Sequence, residues 1–320
     1  FIHRRSGAAA TTWSAAVLLF PFVEQTPAYD ALIAFDRMKD NGDVADGDYN
    51  TNPWGEDDFA SPMVGPFPTF LCPSDGEARL PCPSFTYPGG LRPARSSIRW
   101  CMGDGMWHCG EDWDRTGTSL TNPRTYTRGM FFPCHRKAFS DITDGTANTV
   151  ALSESASPDQ QSTLSIKSGI TGGTTSGIYV SGSVIPENCL NNGYSADRSQ
   201  LVSASNAQRG LIFGDGRSPN VGFHTVLPPN GPSCGHNITS GGTNGWGVFS
   251  ATSYHPGGVS VAFMDGTVRF VTDTINTGDL SMTQGGHHES TGTQPVQSGG
   301  SNYGVWGALG TPSAGDHEAF

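Results

Sequence analysis

The sequence predicts an α+β fold, a short N-terminal helix packed on an antiparallel β-sheet with long disulfide-stabilised loops. Three observations carry that expectation. One segment near the start has helical spacing of apolar residues, and one segment around residue 265 alternates as a β-hairpin does. Gly 43 and Pro 22 together make up about a fifth of the 320 residues, so turns must be abundant and long helices scarce. The whole chain, 1–320, reads as a single globular unit with a flexible loop or tail at about 275–301.

The helix comes first. Thr26 suits an N-cap and Pro27 the first helical position, and Tyr29, Leu32, Ile33 and Phe35 follow with helical spacing, so a helix is expected over about 27–38. An acidic loop comes next. Asp46, Asp48 and Asn50 alternate as the oxygen donors of a calcium loop do, and Asp57 falls at the twelfth position, where a closing carboxylate is expected. Asp40 and Asp43 add donors, while Thr51 stands where the turn glycine belongs and Pro53 lies inside the loop. Bound calcium and a solvated acidic loop are the two readings.

From Pro53 to Arg128 the chain is broken by Pro and Gly every few residues, which suggests cross-linked loops rather than a regular sheet. Short strands are expected at 149–153, 177–180, 210–213 and 247–251. The strongest local pattern is Val259 to Val271. Asp265-Gly266 suits a two-residue type I′ turn, which places Phe263 opposite Val268, Val261 opposite Phe270 and Val259 opposite Thr272 on one apolar face. Ser260, Ala262, Thr267 and Arg269 fall on the other face. Residues 274–301 are rich in Gly, Ser, Thr and Gln, and order is expected to return at 302–310.

Seven cysteines, Cys72, Cys82, Cys101, Cys109, Cys134, Cys189 and Cys234, include no C-x2-C pair, so disulfides are favoured over a zinc knuckle. Disulfides imply an oxidising compartment. Seven is odd, and sequence does not fix connectivity; Cys101 with Cys109 and Cys189 with Cys234 are the pairs suggested by proximity along the chain. Lys+Arg 18 against Asp+Glu 29 gives a charge of -11, which argues against nucleic acid and anionic lipid as partners and leaves cations open. No apolar run reaches the ~18 residues of a membrane-spanning helix. Ala15 to Val23 is interrupted by Pro21, and Phe1-Ile2-His3-Arg4-Arg5 begins neither as an initiator methionine nor as a signal peptide, so an upstream segment is expected to have been removed.

At this point the pieces form a pattern. His255 is followed by nine residues and then Asp265-Gly266, with Ser253-Tyr254-His255-Pro256-Gly257-Gly258-Val259 leading into the strand. Also present are Phe70-Leu71-Cys72-Pro73-Ser74-Asp75, Asp141-Ile142-Thr143-Asp144-Gly145-Thr146-Ala147-Asn148-Thr149, Thr225-Val226-Leu227-Pro228-Pro229-Asn230 and Tyr303-Gly304-Val305-Trp306-Gly307-Ala308-Leu309-Gly310. Together these resemble a family of planctomycete-type prepilin-like proteins with a C-terminal His, nine-residue, Asp-Gly signature. Members of that family typically begin with a long apolar helix, which this sequence lacks. The resemblance implies a pilin-like α+β head, export to the cell surface or beyond, and a structural role with itself or other pilin-like subunits as partners.

No H-E-x-x-H, G-x-S-x-G, phosphate loop or dinucleotide fingerprint is present, and the chain is read as a non-enzyme. His255 and Asp265 are expected to be structural: Asp265 serves the turn, and His255 bonds backbone where the chain enters the strand. Cys134-His135 is read as a disulfide cysteine beside a histidine, and His287-His288-Glu289 and Asp316-His317-Glu318 as parts of polar tails. The favoured function is a pilin-like or pseudopilin-like subunit of a surface filament or secretion apparatus, with no cofactor other than the calcium considered above. The rival is a surface-displayed glycan-binding module, for which Trp107 and Trp113 would offer stacking faces.

Overall fold

The computed structural model describes residues 13–39, 61–82, 86, 90–106, 128–131, 137–157, 159, 164–172, 178–180, 183–202, 209–236, 246–282 and 299–315. Its architecture is α+β. Five strands form the main sheet: β1 (Ile98–Cys101), β2 (Val150–Glu154), β5 (Gly222–Phe223), β8 (Gly258–Phe263) and β9 (Val268–Thr272), in the order β5-β1-β2-β8-β9. The expected antiparallel sheet is in fact mixed, because β5 runs parallel to β1 while the other three pairings are antiparallel. The described residues also form two small two-stranded sheets, β3 (Tyr179–Val180) with β4 (Ser183–Val184) and β6 (Cys234–His236) with β7 (Trp246–Val248).

Helix α1 (Ala15–Leu18) is capped by Ser14, whose Oγ accepts the Ala16 N–H. Helix α2 (Thr26–Lys39) is the helix expected over 27–38. It buries Leu32 and lies against the 3-10 turns Phe20–Phe22 and Ser61–Met63. The link from helix to sheet is an aromatic cluster, in which Phe20, Phe67, Phe70 and Phe213 have ring centroids 4.8–6.3 Å apart and which reaches Trp100 of β1 and Leu152 of β2.

The other helices among the described residues are short: α3 (Pro186–Asn192), α4 (Ser218–Val221) and α5 (Gly304–Leu309). Cys189 of α3 is joined to Cys234 of β6 across 45 residues, one of the two pairs that proximity suggested. Cys72 and Cys101 are thiols and not half-cystines, which corrects their place among the disulfide candidates. Cys82 is buried, and Cys109 and Cys134 lie outside the described residues.

The hairpin forms where expected but in another register. Observed partners are Val259 with Val271, Ser260 with Phe270, Val261 with Arg269 and Ala262 with Val268. The connection has three residues, Met264-Asp265-Gly266, closed by Gly266 N–H to Phe263 O (3.0 Å) and Phe263 N–H to Thr267 O (2.9 Å). Gly266 alone takes the left-handed conformation, at φ +86°, as in a three-residue loop ending in a bulge and unlike a type I′ turn, which needs two such residues. One residue of slip turns β9 over. Val271 is buried beside Val259, whereas Val268 and Phe270, assigned by sequence to the apolar face, are 68% and 49% exposed.

Two further corrections concern strands. Residues 210–213 form a turn and not a strand, since Gly210 adopts φ +70° against the Arg99 guanidinium. Conversely, the stretch read as loops between Pro53 and Arg128 holds β1, which lies between β5 and β2. Of the expected tail, residues 275–282 are fastened to the α5 region by Trp306 N–H to Asn276 O (3.0 Å) and Asp279 N–H to Asn302 O (2.8 Å), and Gly299 O accepts from Arg128 Nη1 (2.9 Å). No helix among the described residues is long and apolar enough to cross a membrane.

Candidate functional site

Three side chains from distant parts of the chain converge beside the sheet. His255 Nε2 lies 3.3 Å from Glu154 Oε1 and 3.7 Å from Cys72 Sγ, and Cys72 Sγ lies 3.8 Å from Glu154 Oε1. Each is held by the local chemistry of its own segment.

Cys72 opens a turn in which its carbonyl accepts the Asp75 N–H (3.0 Å). Asp75 is buried, and its carboxylate accepts bonds from Ser97 Oγ, Ser157 N–H, Glu77 N–H and Ala78 N–H at 2.8–3.2 Å. A buried carboxylate with four donors is well satisfied, so the Cys-Pro-Ser-Asp turn is anchored to Ser97, just before β1, and to Ser157 in the segment after β2. Glu154 ends β2, and its Oε2 accepts the Ser260 N–H of β8 at 2.8 Å, leaving Oε1 turned toward Cys72 and His255. His255 lies on the loop before β8, where its N–H bonds Ser253 Oγ (3.1 Å). Asn230 braces that loop in the left-handed conformation (φ +61°): its Oδ1 accepts the Ser253 N–H (2.9 Å) and its Nδ2 reaches Gly258 O (3.3 Å). Lys167 donates to Ser253 O and sits 5.1 Å from the centre of the Tyr254 ring, its ammonium pKa lowered by burial.

The geometry limits the chemistry. A nucleophile–base–orienter relay needs the nucleophile on one imidazole nitrogen and the orienting carboxylate on the other. Here thiol and carboxylate both address Nε2, so the group does not form such a relay. What it does form is a set of three metal-ligating atoms facing one point.

The sequence suggested that His255 bonds backbone; in the structure its own N–H bonds the Ser253 hydroxyl and its ring meets the side chains of Glu154 and Cys72. Asp265 stands as expected, at the turn, where its Oδ1 accepts the Thr267 N–H (2.9 Å) and Oγ1–H (2.7 Å) and is held below the usual carboxylate range by those bonds. His255 precedes β8 and Asp265 follows it, so the two signature residues occupy opposite ends of one strand. Glu154 carried no sequence signal. Asp40, Asp43, Asp46, Asp48, Asn50 and Asp57 lie outside the described residues, as do Trp107, Trp113, Cys134, His135, His287, His288, Glu289, Asp316, His317 and Glu318.

The other motif residues brace the fold. Asp144 accepts the N–H groups of Ala314 (2.8 Å) and Gly315 (3.2 Å). Thr149 O and Thr146 O receive the N–H groups of Met264 and Asp265 at the hairpin tip. Trp306 is fully buried and its Nε1–H bonds Leu227 O (3.0 Å).

Residues 2–278 match the family SBP_bac_10, described as "Protein of unknown function (DUF1559)". The chain belongs to that family. The matched span of DUF1559 takes in Cys72, Glu154, His255 and Asp265, while helix α5 lies beyond it. No curated protein and no solved structure matches the chain.

Buried charge elsewhere is structural in character. Arg209 is fully buried, with Nη1 on Ser250 O and Nη2 on Gly222 O, and burial lowers its pKa well below the ordinary value, with Arg99 adding repulsion. His224 is pushed down to about 3 by burial and by Arg209, so it is neutral, and its Nδ1 accepts the Phe249 N–H (3.1 Å). The Cys101 thiol is pushed up to about 12 by burial and is inert as a nucleophile.

Proposed function

We propose that this chain is an exported, non-enzymatic, pilin-like subunit that assembles with further copies of itself in a surface filament or secretion apparatus. The observation that carries the reading is the outer edge of the main sheet. Strand β9 pairs with β8 on one side and with no strand on the other among the described residues. An open edge of this kind templates the addition of a further strand, and proteins that stay apart usually blunt it with charge. The single charged residue of β9, Arg269, is turned to the core face, 4.6 Å from the centre of the Phe263 ring. Its neighbours Val268 and Phe270 are left exposed on the outer face.

A second copy of the same ribbon fits that edge. Val268-Arg269-Phe270-Val271-Thr272 is rich in β-branched and aromatic residues, and pairing two such strands about a two-fold axis would extend both sheets and cover both apolar stripes, giving a dimer as the building block; a filament needs a second, head-to-tail contact between such dimers. The Cys189–Cys234 bridge supports an oxidising, extracellular setting. The converging site does not oppose the reading, because both of its partners address one nitrogen of His255. Electron microscopy and cross-linking of native material test it. Filaments or oligomers with cross-links at 268–272 are expected; dispersed monomers at all concentrations would count decisively against assembly.

A further inference from the structure

We propose that Cys72, Glu154 and His255 form a binding site for a borderline-soft divalent cation of the zinc class, with a fourth coordination position left open. The spacing of the three donor atoms is the first reason. In tetrahedral zinc, Zn–S of about 2.3 Å and Zn–N and Zn–O of about 2.1 Å place nitrogen and oxygen about 3.4 Å apart and sulfur about 3.6 Å from either. The observed separations are 3.3 Å for Nε2 to Oε1, 3.7 Å for Sγ to Nε2 and 3.8 Å for Sγ to Oε1. A plain ion pair between His255 and Glu154 would account for the first distance only and would place no thiol at the same nitrogen.

The donor set selects the metal. One sulfur, one imidazole and one carboxylate suit zinc, whereas calcium and magnesium take all-oxygen shells. The supports are those that a metal site needs around its ligands. Glu154 Oε2 is occupied by the Ser260 N–H, so Oε1 is the oxygen that is presented. Asp75 fixes the Cys72 turn through four donors, and Asn230 with Ser253 fixes the His255 loop. Access is open, since the side chains of His255 and Glu154 are 37% and 18% exposed. Three protein ligands and a solvent-facing fourth position describe a site that keeps water, or takes a donor from a ligand or a neighbouring subunit. This inference is independent of the assembly reading.

The test uses the full chain, stripped of metal by chelation and kept under a reductant too mild to open the Cys189–Cys234 bridge. Titration with zinc chloride, followed calorimetrically and by metal analysis after dialysis, is expected to show a zinc ion whose affinity falls in Cys72→Ser and in His255→Ala. Each loss should exceed the roughly 10–100-fold cost of removing an outer-shell partner. Glu154→Gln, which keeps an acceptor for the Ser260 N–H, is expected to weaken binding without unfolding. Cobalt(II) substitution of wild-type protein should give the visible bands of a tetrahedral site and a thiolate charge-transfer band, and this readout remains decisive if a variant fails to fold. Zinc retained equally by both variants, or a cobalt spectrum without thiolate ligation, overturns the proposal.

Discussion

Phe270 stands opposite Ser260, on the outer face of the sheet and beside its open edge. Had the turn been the two-residue type that Asp265-Gly266 favours, Phe270 would face Val261 and be buried. The third loop residue, Met264, makes the difference, and it converts a core side chain into a surface one. The assembly reading depends on that single residue of register.

The tip of the hairpin is open to direct test. Gly266 adopts φ +86° with nothing within 4 Å of where a Cβ would sit, so its replacement carries a conformational penalty and no steric one. Gly266→Ala is expected to lower stability by about 1–2 kcal/mol in denaturant titration. Gly266→Asn should cost less, because asparagine tolerates the left-handed region.

Acid should loosen the surface loops before the core. Asp197, Asp265 and Asp279 each accept bonds from a nearby Ser or Thr, and each carboxyl is held below its ordinary range, Asp197 at about 2. A carboxyl whose folded pKa lies below the unfolded one stabilises the fold above the unfolded pKa of about 3.9, and that contribution disappears as the pH falls through the folded value. Stability should therefore drop between about pH 4 and pH 2, with a shallower slope in the triple variant Asp197→Asn, Asp265→Asn, Asp279→Asn. An unchanged slope in acid-denaturation curves would contradict this.

The Cys189–Cys234 bridge closes a loop with a sequence separation of 45 residues. On the chain-entropy account that is worth about 4 kcal/mol, and measured values for natural bridges run to roughly 2–5 kcal/mol. Replacing both cysteines by serine is expected to lower the urea midpoint accordingly, with Gly193, packed against Cys234 Sγ, among the residues that lose protection from hydrogen exchange.

Asp104 and Arg128 form a buried pair at 2.7 Å, and burial raises the Asp104 carboxyl despite the guanidinium beside it. Removing one partner strands the other charge in the interior. Asp104→Ala should cost roughly 3–5 kcal/mol by thermal or chemical unfolding, far more than a change at an exposed aspartate.

Much of the fold was legible because it is local. Pro27 in the first turn and the spacing of Tyr29, Leu32 and Ile33 specify the helix at Thr26–Lys39, although its cap is Gln25, whose carbonyl accepts the Tyr29 N–H (3.1 Å), and not Thr26 as expected; the alternation of Val259, Val261 and Phe263 specifies β8. What was hidden depends on tertiary contact. Strand β1 is short, between Ser96-Ser97 and a run of Gly and Met, and is made a strand by β2 and β5 on its two sides. Nothing in the sequence around Arg99 or Arg209 marks them as interior, yet their guanidinium groups are buried against backbone carbonyls. The site was half visible. His255 stood out in its motif, but Cys72 lies 183 residues away in sequence and read as a half-cystine, and no spacing rule joins either to Glu154.

The central claim is that the β9 edge joins copies of this chain. Sedimentation velocity of the full chain over a wide concentration range, compared with Phe270→Lys, tests it most directly; Phe270 is half-exposed with its ring over Gly258, so the variant's fold is checked by circular dichroism and urea titration before its association is compared. The account predicts that the wild-type sedimentation coefficient rises with concentration while the variant stays monomeric. A wild-type protein that remains a monomer throughout, or a variant that associates equally well, would contradict it.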